Sequence, residues 1–104
     1  MPTLFKQIAT AGISVGMGAL SIKGRDKGNV CLVIEVEGRM LKLVDGEKRS
    51  LMRPKTKHYK HVKILGQIMS VEEVAALICS DTDIREKDTL IRKTISSFLD
   101  RIEI

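Results

Sequence analysis

The run Val30-Cys31-Leu32-Val33-Ile34-Glu35-Val36 constrains this chain more than any other stretch. It is rich in β-branched residues, almost continuously apolar, and bounded by Gly28 and Gly38, so it predicts a central strand around which the rest must be arranged. Upstream, Gln7 to Ile22 carries no charge. Within it Ala11, Ile13, Val15, Met17 and Ala19 alternate with Gly12, Ser14, Gly16 and Gly18, a period of two that predicts a strand ending near Ile22. Downstream, Met40 to Val44 and Glu47 to Met52 flank Asp45-Gly46, a favoured two-residue hairpin turn. A last strand is expected over His61-Val62-Lys63-Ile64-Leu65. Short strands at this spacing imply a small five-stranded antiparallel barrel.

After Gly66 the grammar becomes helical. Ser70-Val71-Glu72-Glu73 has the form of a capping box and opens a helix expected to run to about Cys79. Asp83-Ile84-Arg85-Glu86 offers a second box. From there Ile84, Ile91, Ile95, Phe98, Leu99 and Ile102 recur at helical spacing. That stripe predicts packing on the barrel or self-association with another copy. The expected organisation is mainly β with an α-helical tail: an N-terminal arm over residues 1–12, a barrel over 13–66, and two helices within 67–104.

With 104 residues, 43% hydrophobic but only 3% aromatic and no Trp, the chain has the size of one small domain with an aliphatic core. Large multidomain enzymes are excluded. Lys and Arg number 18 against 13 Asp and Glu, a net charge of +5. The excess is concentrated: residues 23–63 hold 12 basic and 5 acidic side chains, residues 64–104 hold 5 and 8. A basic middle favours an anionic partner, whether nucleic acid, an acidic protein surface or an anionic membrane. The uncharged stretch is too short and too rich in Gly, Ser and Thr for a span, which needs about 20 apolar residues, and only Lys6 precedes it. A soluble, cytoplasmic chain without membrane association is therefore expected, with Cys31 and Cys79 as reduced thiols.

Between the first two strands sits Lys23-Gly24-Arg25-Asp26-Lys27-Gly28. The pattern of strand, Gly-Arg-Asp-Lys-Gly loop and strand over Val15 to Val36 resembles the KOW motif. The similarity continues through Asp45-Gly46 and the following basic run to about Leu65. Over that span the chain resembles the small KOW-domain RNA-binding proteins of bacteria, themselves similar to a large-subunit ribosomal protein of archaea and eukaryotes. Gly16 matches the glycine that opens the motif's first strand, Gly24 and Arg25 its loop, and Gly28 its most characteristic glycine. Gly18 and Ala19 depart from it, being smaller than the residues expected there. The resemblance implies an SH3-like five-stranded barrel whose loops contact structured RNA, and with it a ribosome-associated or translation-related factor. RNA, in particular ribosomal RNA, is the expected partner, together with large ribosomal subunit proteins.

The residues support the same expectation. Lys23, Arg25, Lys27 and Gly28 form a glycine-framed loop from which cations and backbone N–H groups approach phosphates together. Arg53-Pro54-Lys55-Thr56-Lys57-His58-Tyr59-Lys60-His61-Val62-Lys63 holds five Lys or Arg, two His and the one Tyr, with no acid in the run. Pro54 favours an extended backbone there. Lys23, Arg25, Lys27, Arg49, Arg53, Lys55, Lys57 and Lys60 are the expected phosphate contacts. His58 and His61 are expected to hydrogen-bond phosphate or cap the last strand, and Tyr59 to stack on an unpaired base or, equally, to pack with its hydroxyl exposed. Neither Cys has a partner at metal-ligand spacing, so no metal and no cofactor are expected. No Ser-His-Asp or Cys-His arrangement is legible, and the acids from Glu72 to Asp88 suit helix N-termini. Catalysis is not expected. The alternative is a protein-interaction module that docks on ribosomal or transcription machinery through the barrel and the acidic helical tail.

Overall fold

The computed structural model describes residues 12–102. Apart from Gly12, the expected N-terminal arm lies outside them. The strands are β1 (Met17–Ser21), β2 (Val30–Glu37), β3 (Met40–Val44), β4 (Lys55–His58) and β5 (Val62–Gln67). A 3-10 turn, Tyr59–His61, joins β4 to β5, and two helices follow, α1 (Val71–Cys79) and α2 (Ile84–Arg101). All five strands form one antiparallel sheet in the order β4-β3-β2-β1-β5, with β2 at its centre.

Closure into a barrel does not occur. β4 and β5 are the two edges of the sheet and share no ladder. The 3-10 turn carries the chain between them and is itself tied to neighbouring segments: Tyr59 N donates to Arg39 O at 3.0 Å and Ile22 N to His61 O at 2.9 Å.

Two expected strands also differ. The first begins only at Met17, because Gly16 leaves the ladder path: its N–H donates to Val33 O, while its carbonyl accepts from Ile68 and Met69. Glu47–Met52 is not a strand, and β3 pairs instead with β4, Leu41 opposite Lys57. Tertiary bonds hold the 45–54 connection in turns. The Asp45 carboxylate accepts from Glu47 N and Arg49 N, both at 2.8 Å. Asp88 on α2 accepts from Ser50 Oγ and, at 2.9 Å, from Leu51 N.

The near-continuous apolar character of β2 follows from burial on both faces. On the inner face, Cys31, Val33 and Val36 join Ile13, Ala19, Leu41, Leu43 and Val62. On the outer face, Leu32 and Ile34 join Val44, Met69, Val74, Leu77, Ile91 and Ile95 beneath the helices. A register shift between Val33 and Glu35 re-phases the strand, so Val36 returns to the inner core while Glu35 is exposed and pairs with Lys42 at 3.7 Å.

The first helix starts with the capping box its sequence predicts, whereas at the second the Asp83 side chain caps Arg85 N and not the third position that a box requires. Ser70 Oγ accepts from Glu73 N at 3.0 Å and Glu73 returns a bond to Ser70 N at 2.9 Å; Asp83 accepts from Arg85 N at 3.1 Å. The α2 stripe, Ile91, Ile95 and Phe98, is buried against the sheet, which leaves those side chains unavailable to a second copy. Ile68 crowds the small residue at Gly18. A Cβ there would lie 2.7 Å from Ile68 Cδ1 and 3.6 Å from the Phe98 ring.

Candidate nucleic-acid interface

One end of the sheet gathers the C-terminal end of β1, the 23–29 loop, the 45–54 connection and the start of β4. The 23–29 loop is closed by Ser21 N to Asn29 O and Gly28 N to Ser21 O, both 2.9 Å, with Gly28 at φ +96° and open space around it. An L residue adopts that φ only with strain. Lys23, Arg25 and Lys27 are all exposed on this loop.

Lys57 organises the loop from beneath. Because β4 alternates, Thr56 is exposed and Lys57 is turned inward, with a relative exposure of 7%. Its ammonium donates to Ser21 Oγ at 2.6 Å, to Lys23 O at 2.7 Å and to the Asp26 carboxylate. Those three acceptors use all three of its hydrogens. Lys57 is thus the one expected phosphate contact whose charge is sealed inside the protein. Asp26, far away in sequence, also accepts from Ser21 Oγ at 3.0 Å and lies 3.8 Å from Lys55 Nζ. Burial acts to raise the Asp26 pKa, but the hydrogen bonds from Lys57 and Ser21 and the charges of Lys57 and Lys55 outweigh it, holding the carboxyl below its ordinary 3.8.

Beside this cluster, Arg25, Asp26, Asn29, Lys48 and Arg49 line a cleft of about 180 Å³. It joins the two loops and brings Arg25 and Arg49 together. Lys48 and Asn29 were not among the expected contacts. Lys48 lies in what the sequence presents as a hairpin arm, and its adjacency to Arg49 is the signal that marks it.

The remaining expected residues are dispersed. Arg53 is exposed in a turn, its N–H donating to Ser50 O at 2.9 Å. The His58 and Tyr59 rings stack with centroids 4.9 Å apart, and Tyr59 packs on the inner core. His58 Nδ1 accepts from Lys60 N at 3.1 Å. Burial first, then the charges of His61, Lys60 and Arg39, lower the His58 pKa from its ordinary 6.5. His61 lies with its ring centroid 5.9 Å from that of His58, and Lys60 is exposed.

Burial pushes the Cys31 thiol up to about 12, with the charges of Asp45 and Asp26 adding to the effect; Cys79 is exposed. Among the described residues, no three His, Cys, Asp or Glu side chains are grouped to hold a metal, and no helix is long and apolar enough to cross a membrane. Compared with known proteins, the chain matches no family model and no curated protein.

Proposed function

We propose that this protein binds RNA through the basic end of its sheet, contacting structured ribosomal RNA as a ribosome-associated or translation-related factor. The observation that carries the reading is the convergence of cations from separate segments, Lys23, Arg25 and Lys27 on one loop and Lys48 and Arg49 on the other, on the same end of the sheet. Lys55 adjoins them. Such a surface neutralises phosphates, which positions a nucleic acid chain without specifying its bases. The resemblance of Val15 to Val36 to the KOW motif adds support. So does the single five-stranded antiparallel sheet, the strand number that the resemblance implies.

The test is fluorescence anisotropy with a structured ribosomal RNA fragment across a salt series. For about five phosphates neutralised, log K should fall with log salt at a slope between about −3.5 and −4.5. A flat response overturns the proposal. Salt-sensitive co-migration with the large ribosomal subunit on a sucrose gradient would place the RNA in the ribosome, and free migration at low salt would remove it from there.

A further inference from the structure

The cleft between the two basic loops differs from the rest of the positive surface. Arg25, Lys48 and Arg49 take part in none of the ion pairs found among the described residues, which are Glu35–Lys42, Asp26–Lys55 and Asp26–Lys57. The one carboxylate in the lining, Asp26, is already engaged by two lysines and Ser21. The cleft therefore keeps the charge of three cations, and Asn29 adds a carboxamide donor. The nearby Glu47 lines a separate hollow with Arg92.

Both walls are fixed before any ligand arrives. Lys57 holds the Arg25 loop through Lys23 O and Asp26. The Lys48-Arg49 loop is held by the Asp45 carboxylate on one side and by Asp88 on the other. Two guanidinium forks and an ammonium lining one concave site on hydrogen-bonded loops suit a tetrahedral oxyanion, whose several oxygens can accept from all of them at once. At about 180 Å³ the cleft is smaller than small-molecule pockets, which run from roughly 300 Å³ upward, so it takes a group and not a whole cofactor.

We infer that this cleft is a seat for a single phosphate group, held by Arg25, Lys48 and Arg49. The proposal rests on the RNA reading for the chain that carries the phosphate, and on the cleft alone for the phosphate itself. The seat fixes the register of the RNA, while Lys23 and Lys27 on the adjoining loop add affinity without position.

The experiment is a titration of the ¹⁵N-labelled full chain with inorganic phosphate at low ionic strength, read by backbone amide shifts. Saturable shifts largest at Arg25, Asn29, Lys48 and Arg49 are expected. Arg25→Gln with Arg49→Gln should weaken phosphate binding by tenfold or more, while Arg85→Gln with Lys93→Gln, on α2, leaves it unchanged. An unperturbed amide spectrum elsewhere shows that each variant is folded. Small, unsaturated shifts spread over every exposed Lys and Arg overturn the seat. The second arm adds the ribosomal RNA fragment to the phosphate-loaded protein. Displacement of phosphate from the cleft supports both readings. Phosphate that saturates the cleft while RNA does not bind leaves the seat standing and removes the RNA reading. RNA that binds the Arg25→Gln, Arg49→Gln variant with an unchanged salt slope overturns the seat as the point that fixes the RNA and leaves the RNA reading.

Discussion

The 23–29 loop and the β4–β5 junction carry similar side chains and treat them in opposite ways. In the loop, the backbone and its carboxylate are satisfied by Lys57 from below, which leaves Lys23, Arg25 and Lys27 exposed. In the junction, the side chains satisfy one another: His58 stacks on Tyr59 and accepts from Lys60 N, Tyr59 packs on the core, and Lys60 is the exposed cation of the turn. One inward-turned lysine thus leaves three other cations of the loop exposed. Availability of charge depends on what else is present to satisfy the backbone nearby, and not on the density of basic residues along the chain.

The comparison breaks most sharply at the buried pair. Asp26→Ala leaves the Lys57 ammonium buried without its counter-charge and should cost about 3 kcal/mol in denaturant unfolding. Adding Lys57→Met should recover most of that loss. If Asp26→Ala alone is neutral, Lys57 is not the organiser of the loop. The pair also sets a pH dependence. The folded-state pKa of Asp26 is depressed below 3.8, so its stabilisation is present above about pH 4 and is lost as pH falls through the folded value. Wild type should therefore lose more stability than the double variant between pH 5 and acid; parallel curves would contradict this.

The second loop is tested at Gly46, which has φ +79° and sits against α2, where a Cβ would lie 2.9 Å from Arg92 N and closer still to Asp88 O. Gly46→Ala should cost of the order of 2–3 kcal/mol, combining clash with backbone strain. A smaller effect is expected for Asp88→Ala, about 1–2 kcal/mol from the lost bonds to Ser50 and Leu51. That variant should also weaken RNA binding, although Asp88 is itself negative; tighter binding would show that the anchor does not matter. The mildest change distinguishes the two regions directly. Lys60→Gln should leave melting temperature and RNA affinity close to wild type, whereas Arg25→Gln with Arg49→Gln, by emptying the one phosphate seat, should make the salt slope shallower by about 0.7–0.9. Equal slopes for the two variants would erase the distinction.

Features decided by near neighbours were readable from the chain. The β2 core run, the strand Met40–Val44 and the Ser70 box each depend on residues a few positions apart, and each is present. What escaped depends on distant partners. Lys57 reads as a surface cation because Asp26 stands 31 residues away, and only the β3–β4 register turns it inward. Glu47–Met52 reads as a strand because Asp88, 37 residues from Leu51, is what bends it into turns. The cleft combines both effects, so its two halves were visible separately, as a Gly-framed loop and an Arg beside an Asp-Gly turn, but not their meeting.

The pairing of β1 with β5, Ser21 opposite Val62, carries a consequence for how the chain acquires its structure. Nearly the whole sheet lies between those residues, so the entropy of closing that long loop is lost before the ladder rewards it. During synthesis β1 remains an unpaired edge beside β2 until β5 emerges, and the outer apolar face stays wet until α2 follows. The helix α2, which follows all five strands, thus covers a sheet whose strands precede it in the chain.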